Sequence, residues 1–252
     1  MKPHRAASIC AAIVLALAVP AHAQTGRILK LTSLEWQPYS GQNLPRQGLI
    51  SAVVSAALDS MGERVAISFY PWNRATALVR AESNFIGYFP EYMSKELEAT
   101  CHLSDPIGSG PLGFAERSDA PVRWERLEDL ARFKVGLVTG YVNSERFDER
   151  VRQGLQRVDY ASSDKQNLLK LAAKRVPLAL IDRRVFEYLV RHDSQLAAIG
   201  PELHFNPRLI EMKNLYVCFR RNAEGDRVRK LFNEGLRKIA TPAVIEAPIA
   251  LP

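Results

Sequence analysis

Apolar residues in this chain alternate between two periods. Over residues 28–33 (ILKLTS) they recur every second position, as in a strand. From Leu49 they fall at Leu49, Ile50, Val53, Val54, Ala57, Leu58 and Met61, the spacing of one helix face, and Gly62 follows as a helix-ending glycine does. Val65, Ile67 and Phe69 alternate again within 65–70. The pattern predicts a second helix over 72–82 and a short strand over 85–89. The first 90 residues thus read strand–helix–strand–helix–strand, the order that builds a parallel sheet with helical crossovers.

Residues 103–117 (LSDPIGSGPLGFAER) interrupt this order. They are rich in Gly and Pro, read as extended, and have the length of a connection between two bodies. A second α/β series follows. It comprises a short helix in RWERLEDLARF, a strand at 134–138, and a helix capped by Asn143 with Phe147, Val151 and Leu155 on one face. A strand in RVDYA leads to a helix that Ser163 and Gln166 open as a capping box. Residues 177–181 form the next strand. The helix after it carries Val185, Phe186, Leu189 and Val190. A late strand at 214–219 and a helix with Val228, Leu231, Phe232 and Ile239 complete the series. The tail TPAVIEAPIALP lacks periodicity and is expected to lie over the surface.

The first 23 residues stand apart. A basic start (MKPHR), an apolar run at 9–19 and the small-x-small triplet AHA at 21–23 fit an export signal cleaved after Ala23. The run is short for a bilayer span, although an uncleaved anchor is the alternative. Cys10 is not at the cleavage site, which argues against a lipid anchor. Cleavage leaves 229 residues (252 less 23), enough for one large domain or two small ones. It also removes Lys2 and Arg5, lowering the net charge from +7 to +5. With 47% apolar and 24% charged residues the chain reads as folded rather than disordered. Its arginines are scattered, without the dense block of a nucleic-acid binder, and read as solvated helix faces. Export leaves two cysteines, Cys101 and Cys218. In an oxidising compartment the pair reads as one disulfide, with two buried thiols the alternative.

Catalytic motifs are missing. His102, His192 and His204 show no ligand spacing, so neither zinc nor another cofactor is expected. No nucleophile elbow, phosphate loop or dinucleotide fingerprint occurs. GSGPLG at 108–113 precedes an extended segment rather than a helix, so it lacks the geometry of an anion cradle.

In open α/β sheets, ligands lodge beyond the carboxyl ends of the strands. Those ends carry Glu35, Trp36 and Tyr39, then Trp72 and Arg74, then Tyr88 with Phe89, Pro90 and Glu91. In the second body they carry Gly140, Tyr141 and Asp182. Trp72 and Arg74 are read as lying off the apolar stripe of their helix, where a ring can stack on a guest and a guanidinium can grip an anion. Each has a structural alternative: Trp72 as a core plug, and Arg74 paired with Glu35 or Glu91. Backbone amides at 140–142 can receive an anion, or form a plain turn. Asp182 can bind a cation or cap its helix.

The segments WQPYSGQNLPRQGLISAVVSAAL, YPWNRATALVRAE, LSDPIGSGPLGFAERSD, RLEDLARFKVGLVTGY and DKQNLLKLAAKRVPLALIDRRVFEYLV resemble, in order, bacterial extracellular solute-binding proteins of family 3. The resemblance implies an α/β type II periplasmic-binding-protein clamshell, with two lobes joined by two crossover strands. One lobe would combine 24–109 with 214–252, and the other would span 110–213. It also implies that CHLSDPI and LYVCF lie side by side, which independently favours a Cys101–Cys218 bridge. Amino-acid binders of that family carry a ligand-clamping arginine in the turn after the third strand. The turn here, YMSKELEAT, has only Lys95. The expectation is a monomeric periplasmic protein, not an enzyme. It would capture a small polar or charged solute, amino-acid-like or related, for the membrane permease of an ABC transporter. Two rivals are a clamshell enzyme using Glu35 or Glu91 as acid/base and a sensing module without transport.

Overall fold

The computed structural model describes residues 28–81 and 84–239. The expected export signal over 1–23 and the tail from 241 lie outside the described residues. In chain order the first set of elements is β1 (Ile28–Ser33), α1 (Leu49–Asp59), β2 (Arg64–Phe69), α2 (Trp72–Arg80), β3 (Phe85–Tyr92), α3 (Lys95–Glu98) and β4 (Cys101–Leu103). A long strand, β5 (Gly108–Arg117), leads away from it. The second set is β6 (Val135–Val138), α4 (Glu145–Arg152), β7 (Val158–Ala161), α5 (Asp164–Ala172), β8 (Leu178–Asp182), α6 (Arg183–His192) and α7 (Ser194–Ile199). An 18-residue strand, β9 (Leu203–Arg220), returns to the first set, where α8 (Ala223–Ile239) packs.

The strands are ordered β2-β1-β3-β9-β5-β8-β6-β7, with β4 also paired to β9. β1 runs parallel to β2 and β3 at one end, and β6 runs parallel to β7 and β8 at the other. The βαβ periodicity of both halves therefore yields a parallel run of three strands at each end of one nine-stranded sheet, as crossover helices require. Between them the antiparallel pair β5–β9 runs from Gly108↔Leu215 to Arg117↔Leu203. Two lobes result, joined by these two strands.

Several elements differ from the periodicity reading. β3 continues past Pro90 to Tyr92, with its pairing to β9 shifted between Tyr88 and Glu91. Proline has no N–H to give a ladder, so the strand looked finished at 89. The late strand begins at Leu203 rather than 214, and β4 had no counterpart in the reading. The expected cap Asn143 yields to Ser144, whose Oγ accepts from the Phe147 N–H, while Asn143 bonds Asp148. The capping serine at 163 accepts from the Gln166 N–H as read.

Cys101 and Cys218 form a disulfide between β4 and β9. They are 117 residues apart. Closing a loop of that length stabilises a fold by about 4–5 kcal/mol in the chain-entropy account.

Candidate functional site

Pro71 ends the approach to α2, and Trp72 opens the helix. Trp72, Ala75, Thr76 and Val79 are its buried residues, spaced i, i+3, i+4 and i+7. Trp72 therefore belongs to the buried stripe, contrary to the expectation that it lay off it. What it packs against includes the other lobe. Its indole Nε1 donates to the Gly140 carbonyl at 3.0 Å, and its ring meets Tyr141 edge-on at 6.2 Å. Gly140 has φ +83°, and a Cβ there would collide with the Asn73 carboxamide, so glycine is required where the lobes approach.

A second crossing lies at the loop after β1. Tyr39, 1% exposed, donates its hydroxyl to the Asp182 carboxylate at 3.1 Å. Trp36 stacks on Tyr39 at 4.7 Å and meets Tyr92 edge-on at 6.0 Å. The Tyr92 hydroxyl reaches Asp182 at 3.5 Å. Asp182 also caps α6, accepting from the Arg184 and Val185 N–H groups. The capping alternative for this residue is therefore the one seen, and the same carboxylate also accepts from tyrosine hydroxyls of the other lobe. The Tyr141 hydroxyl donates to Asp164 at 3.1 Å. The buried Trp36 indole N–H faces the same carboxyl without forming a well-aligned hydrogen bond.

These contacts surround a cavity of about 30 Å³, room for one or two waters. Leu34, Trp36, Trp72, Pro90, Glu91, Tyr92 and Leu215 line it from one side, Tyr141 and Val142 from the other. Pockets that hold organic ligands run to roughly 300–1,000 Å³, an order of magnitude more. The two lobes are therefore closed on each other, and the cavity as it stands is too small for an organic ligand.

Three carboxyl groups gather at this seam, and burial dominates each. Desolvation raises Glu91 to about 8, against the opposing pull of the Tyr92 N–H and the Arg80 charge. Desolvation raises Asp164 to about 7, with the nearby Asp182 charge pushing the same way. Asp182 is raised to about 6 by desolvation, moderated by its two backbone donors and the Tyr39 hydroxyl. Burial also holds the Tyr39 hydroxyl far above its ordinary range, so it stays a donor. Among the described residues no arginine or lysine lines the cavity. Arg80 and Lys213 are cations that favour the Glu91 charge, and the Lys213 ammonium sits over the Tyr92 ring at 5.4 Å.

The expected site residues therefore divide. Trp36, Trp72 and Tyr141 line the cavity, Gly140 accepts from Trp72, and Tyr39 and Asp182 bond across the lobes directly behind it. Tyr88 is buried, touches the Trp72 edge at 5.4 Å and hydrogen-bonds to Glu91 and Arg80, but does not line the cavity. Glu35 is exposed and accepts from Gln37 and Gln42 within its own loop. Arg74 is exposed too, with its guanidinium 5.1 Å from the centre of the Tyr70 ring. Lys95 lies at the rim and pairs with Glu145 of the opposite lobe.

Sequence reasoning missed Tyr92 and Asp164. Tyr92 was hidden by Pro90. Asp164, one residue after the capping Ser163, looked like an ordinary acid in a first helical turn. The short spacing from Tyr88 to Tyr92 along a strand was the available signal for the first.

No family model matches the sequence, and no curated protein does. Solved structures do match. A histidine kinase sensor domain with similarity to periplasmic binding proteins is 20% identical, with 84% of this chain and 90% of that one aligned and a TM-score of 0.72. The fold is the periplasmic-binding-protein clamshell. An ancestral arginine-binding protein bound to arginine matches this clamshell at 13% identity, covering 84% and 91%, with a TM-score of 0.69. The GluR0 ligand-binding core from Nostoc punctiforme, in complex with glutamate, matches at 14%, covering 83% and 92%, with a TM-score of 0.66.

Proposed function

We propose that this clamshell is an exported, monomeric solute-binding protein that shuts over a small polar organic molecule and hands it to the permease of an ABC transporter. Residues 24–109 with 214–252 would act as one jaw and 110–213 as the other. The observation that supports this reading best is the seam itself. Rings from both lobes and Glu91 line one cavity, with Asp164 and Asp182 of the second lobe bonded to its surrounding tyrosines, and the bonds that close it run between lobes.

The same seam narrows the solute. Its polar groups are Glu91, Asp164 and Asp182, with an indole donor between them. Ionised carboxyls there favour an ammonium or other donor-rich group. The faces of Trp36, Trp72 and Tyr141 favour an apolar or cationic portion beside it. Arg74, exposed on Tyr70, gives an anion no grip in this cavity. Expulsion of water strengthens each such contact, and the solute drives closure only by binding the closed form better than the open one.

A thermal-shift screen over amino acids, polyamines, organic acids and small sugars tests the reading. Amine-bearing solutes should raise the melting temperature, and Asp164→Asn should remove the shift. A shift confined to organic acids, or one that survives this substitution, would sink it.

A sensing role without transport is the second reading, supported by the match to a histidine kinase sensor domain. Deleting the protein separates the two. Lost uptake of the solute supports transport, and unchanged uptake with a lost cellular response supports sensing. Glu91, held near neutral pKa in a buried cavity, also meets one requirement of the enzyme alternative. Conversion of the bound solute on prolonged incubation would favour that alternative.

A further inference from the structure

The crossover strand β5 meets the seam at Gly110. Leu112, two positions further along, pairs with Asp182 on β8. Residues two apart on a strand share a face, so position 110 looks toward the Asp182 carboxylate. A Cβ built on Gly110 would lie 2.0 Å from Asp182 Oδ2 and 2.4 Å from the Tyr39 hydroxyl, where real Cβ atoms keep beyond 3.0 Å. Gly110 does not have a left-handed φ, so alanine could adopt its backbone. The demand for glycine here is steric alone.

The space above Gly110 is filled from both lobes. Tyr39, from the loop after β1, brings in its hydroxyl, which bonds Asp182 at 3.1 Å and reaches the Ser109 carbonyl at 3.5 Å. From the second lobe, Arg184 Nη1 donates to that same carbonyl at 2.9 Å. Asp182 is held by the Arg184 and Val185 N–H groups. Tyr39 is 1% exposed and Asp182 2%, so neither can turn aside without leaving a buried polar group unpaired. The contact rests on one of the two strands that join the lobes. A wedge beside such a pivot is magnified at the rim, where Lys95 of one lobe meets Glu145 of the other.

We propose that Gly110 is a positioning residue for closure: the space it leaves on β5 admits the Tyr39 hydroxyl to Asp182 and so sets how far the lobes shut. The inference rests on the proposed function only in that the lobes move as bodies, and it needs no solute. Cross-linking between Lys95→Cys and Glu145→Cys tests it, in the solute-free full chain carrying Cys10→Ser. Both rim side chains are exposed, and Cys101 and Cys218 are held in their disulfide, which maleimides do not attack. The rate of bridging by a short phenylene bismaleimide, divided by the rate of single-site capture by N-ethylmaleimide, reads the closed population even where it is minor. Gly110→Ala should lower this ratio at least about tenfold, and Gly110→Val should lower it further.

Tyr39→Phe with Asp182→Ala removes both clashing oxygens. In that trimmed background Gly110→Ala should change the ratio by less than about twofold. The proposal is overturned if Gly110→Ala bridges as the parent does. It is equally overturned if the loss is as large in the trimmed background, which would mark a defect of the strand itself. Should Gly110→Ala fail to fold, as judged by circular dichroism, recovery of the fold in the trimmed background supports the proposal and failure there overturns it. A screen in which no amine stabilises the protein would remove the proposed solute and leave the dependence on residue 110 standing.

Discussion

The two lobes touch in two places that obey different physics. At the seam, rings and carboxyls are withdrawn from water, and Tyr39–Asp182 and Trp72–Gly140 bonds cross between lobes. At the rim, Lys95 pairs with Glu145, and Arg152 approaches Glu96 at 3.8 Å, all with exposed side chains. Both sets join the same jaws. At the seam a charge is costly and packing is specific, so energy concentrates there. At the rim water and salt share every charge, so the pairs guide approach and add little. If the clamshell opens as proposed, this division suits it: a weak rim would not lock the lobes, and the carboxyls at the seam would favour a cationic or donor-rich partner.

The largest effect should come from removing a ring that spans the seam. Trp72→Ala should lower the unfolding free energy by about 3–5 kcal/mol in urea titration, since an aromatic core truncation leaves a cavity. A loss comparable to that of a surface substitution would place the indole outside the packed interface.

The seam should next reveal itself through pH. Glu91, Asp164 and Asp182 titrate near 8, 7 and 6 when folded, and near 4 when unfolded. Between these values the folded state holds more protons than the unfolded one. The stability these groups contribute is therefore complete below about pH 4, falls most steeply between about 4 and 6, and levels off as pH passes 6, 7 and 8 in turn, the reverse of ordinary acid denaturation. The slope is about 1.4 kcal/mol per pH unit for each carboxyl still protonated only in the fold. Asp164→Asn should flatten the decline between about pH 4 and 7. A stability that rises over this range would contradict the burial of these groups.

Trp72→Phe keeps a smaller ring against Tyr88 and Tyr141 and deletes the bond to Gly140. It should cost about 1 kcal/mol, well short of the alanine variant. At the rim, Lys95→Ala should leave the melting temperature unchanged within error at moderate salt. A rim effect as large as the seam effects would erase the distinction between the two contacts.

How much of this was legible in the sequence depends on where each constraint originates. The parallel halves were readable because residues such as Val54 and Leu58, or Leu31 and Ile67, repeat with the period of their own element. The long return strand was not. Its first half, LHFNPRLIEMK, carries Asn206, Pro207 and several charges, because a strand bridging two lobes has no continuous core to face. The two cysteines were readable as a pair by compartment and number, and the disulfide bears that out. Site residues divide in the same way. Trp36, Trp72 and Tyr141 stood out as rings beyond the carboxyl ends of strands, the place where open α/β sheets lodge ligands. Asp164 did not, because its burial is imposed by Trp36 across the lobes and by Tyr141, 23 residues away in its own lobe, and leaves no local mark. Arg74 drew notice for its charge, yet a local partner, Tyr70, holds it at the surface.

The central claim is that the jaws move relative to each other around the seam, and that a solute selects the closed arrangement. An inter-label distance measured by pulsed electron spin resonance tests it most directly, with nitroxides on Ala77→Cys in α2 and Arg146→Cys in α4, both exposed positions on opposite lobes. Adding a solute that raises the melting temperature should collapse a broad distribution to one short, narrow distance, and Asp164→Asn should keep it broad. A distribution that stays the same with saturating solute, while that solute still stabilises the protein, would show that the guest binds elsewhere and that the seam is only a packed core.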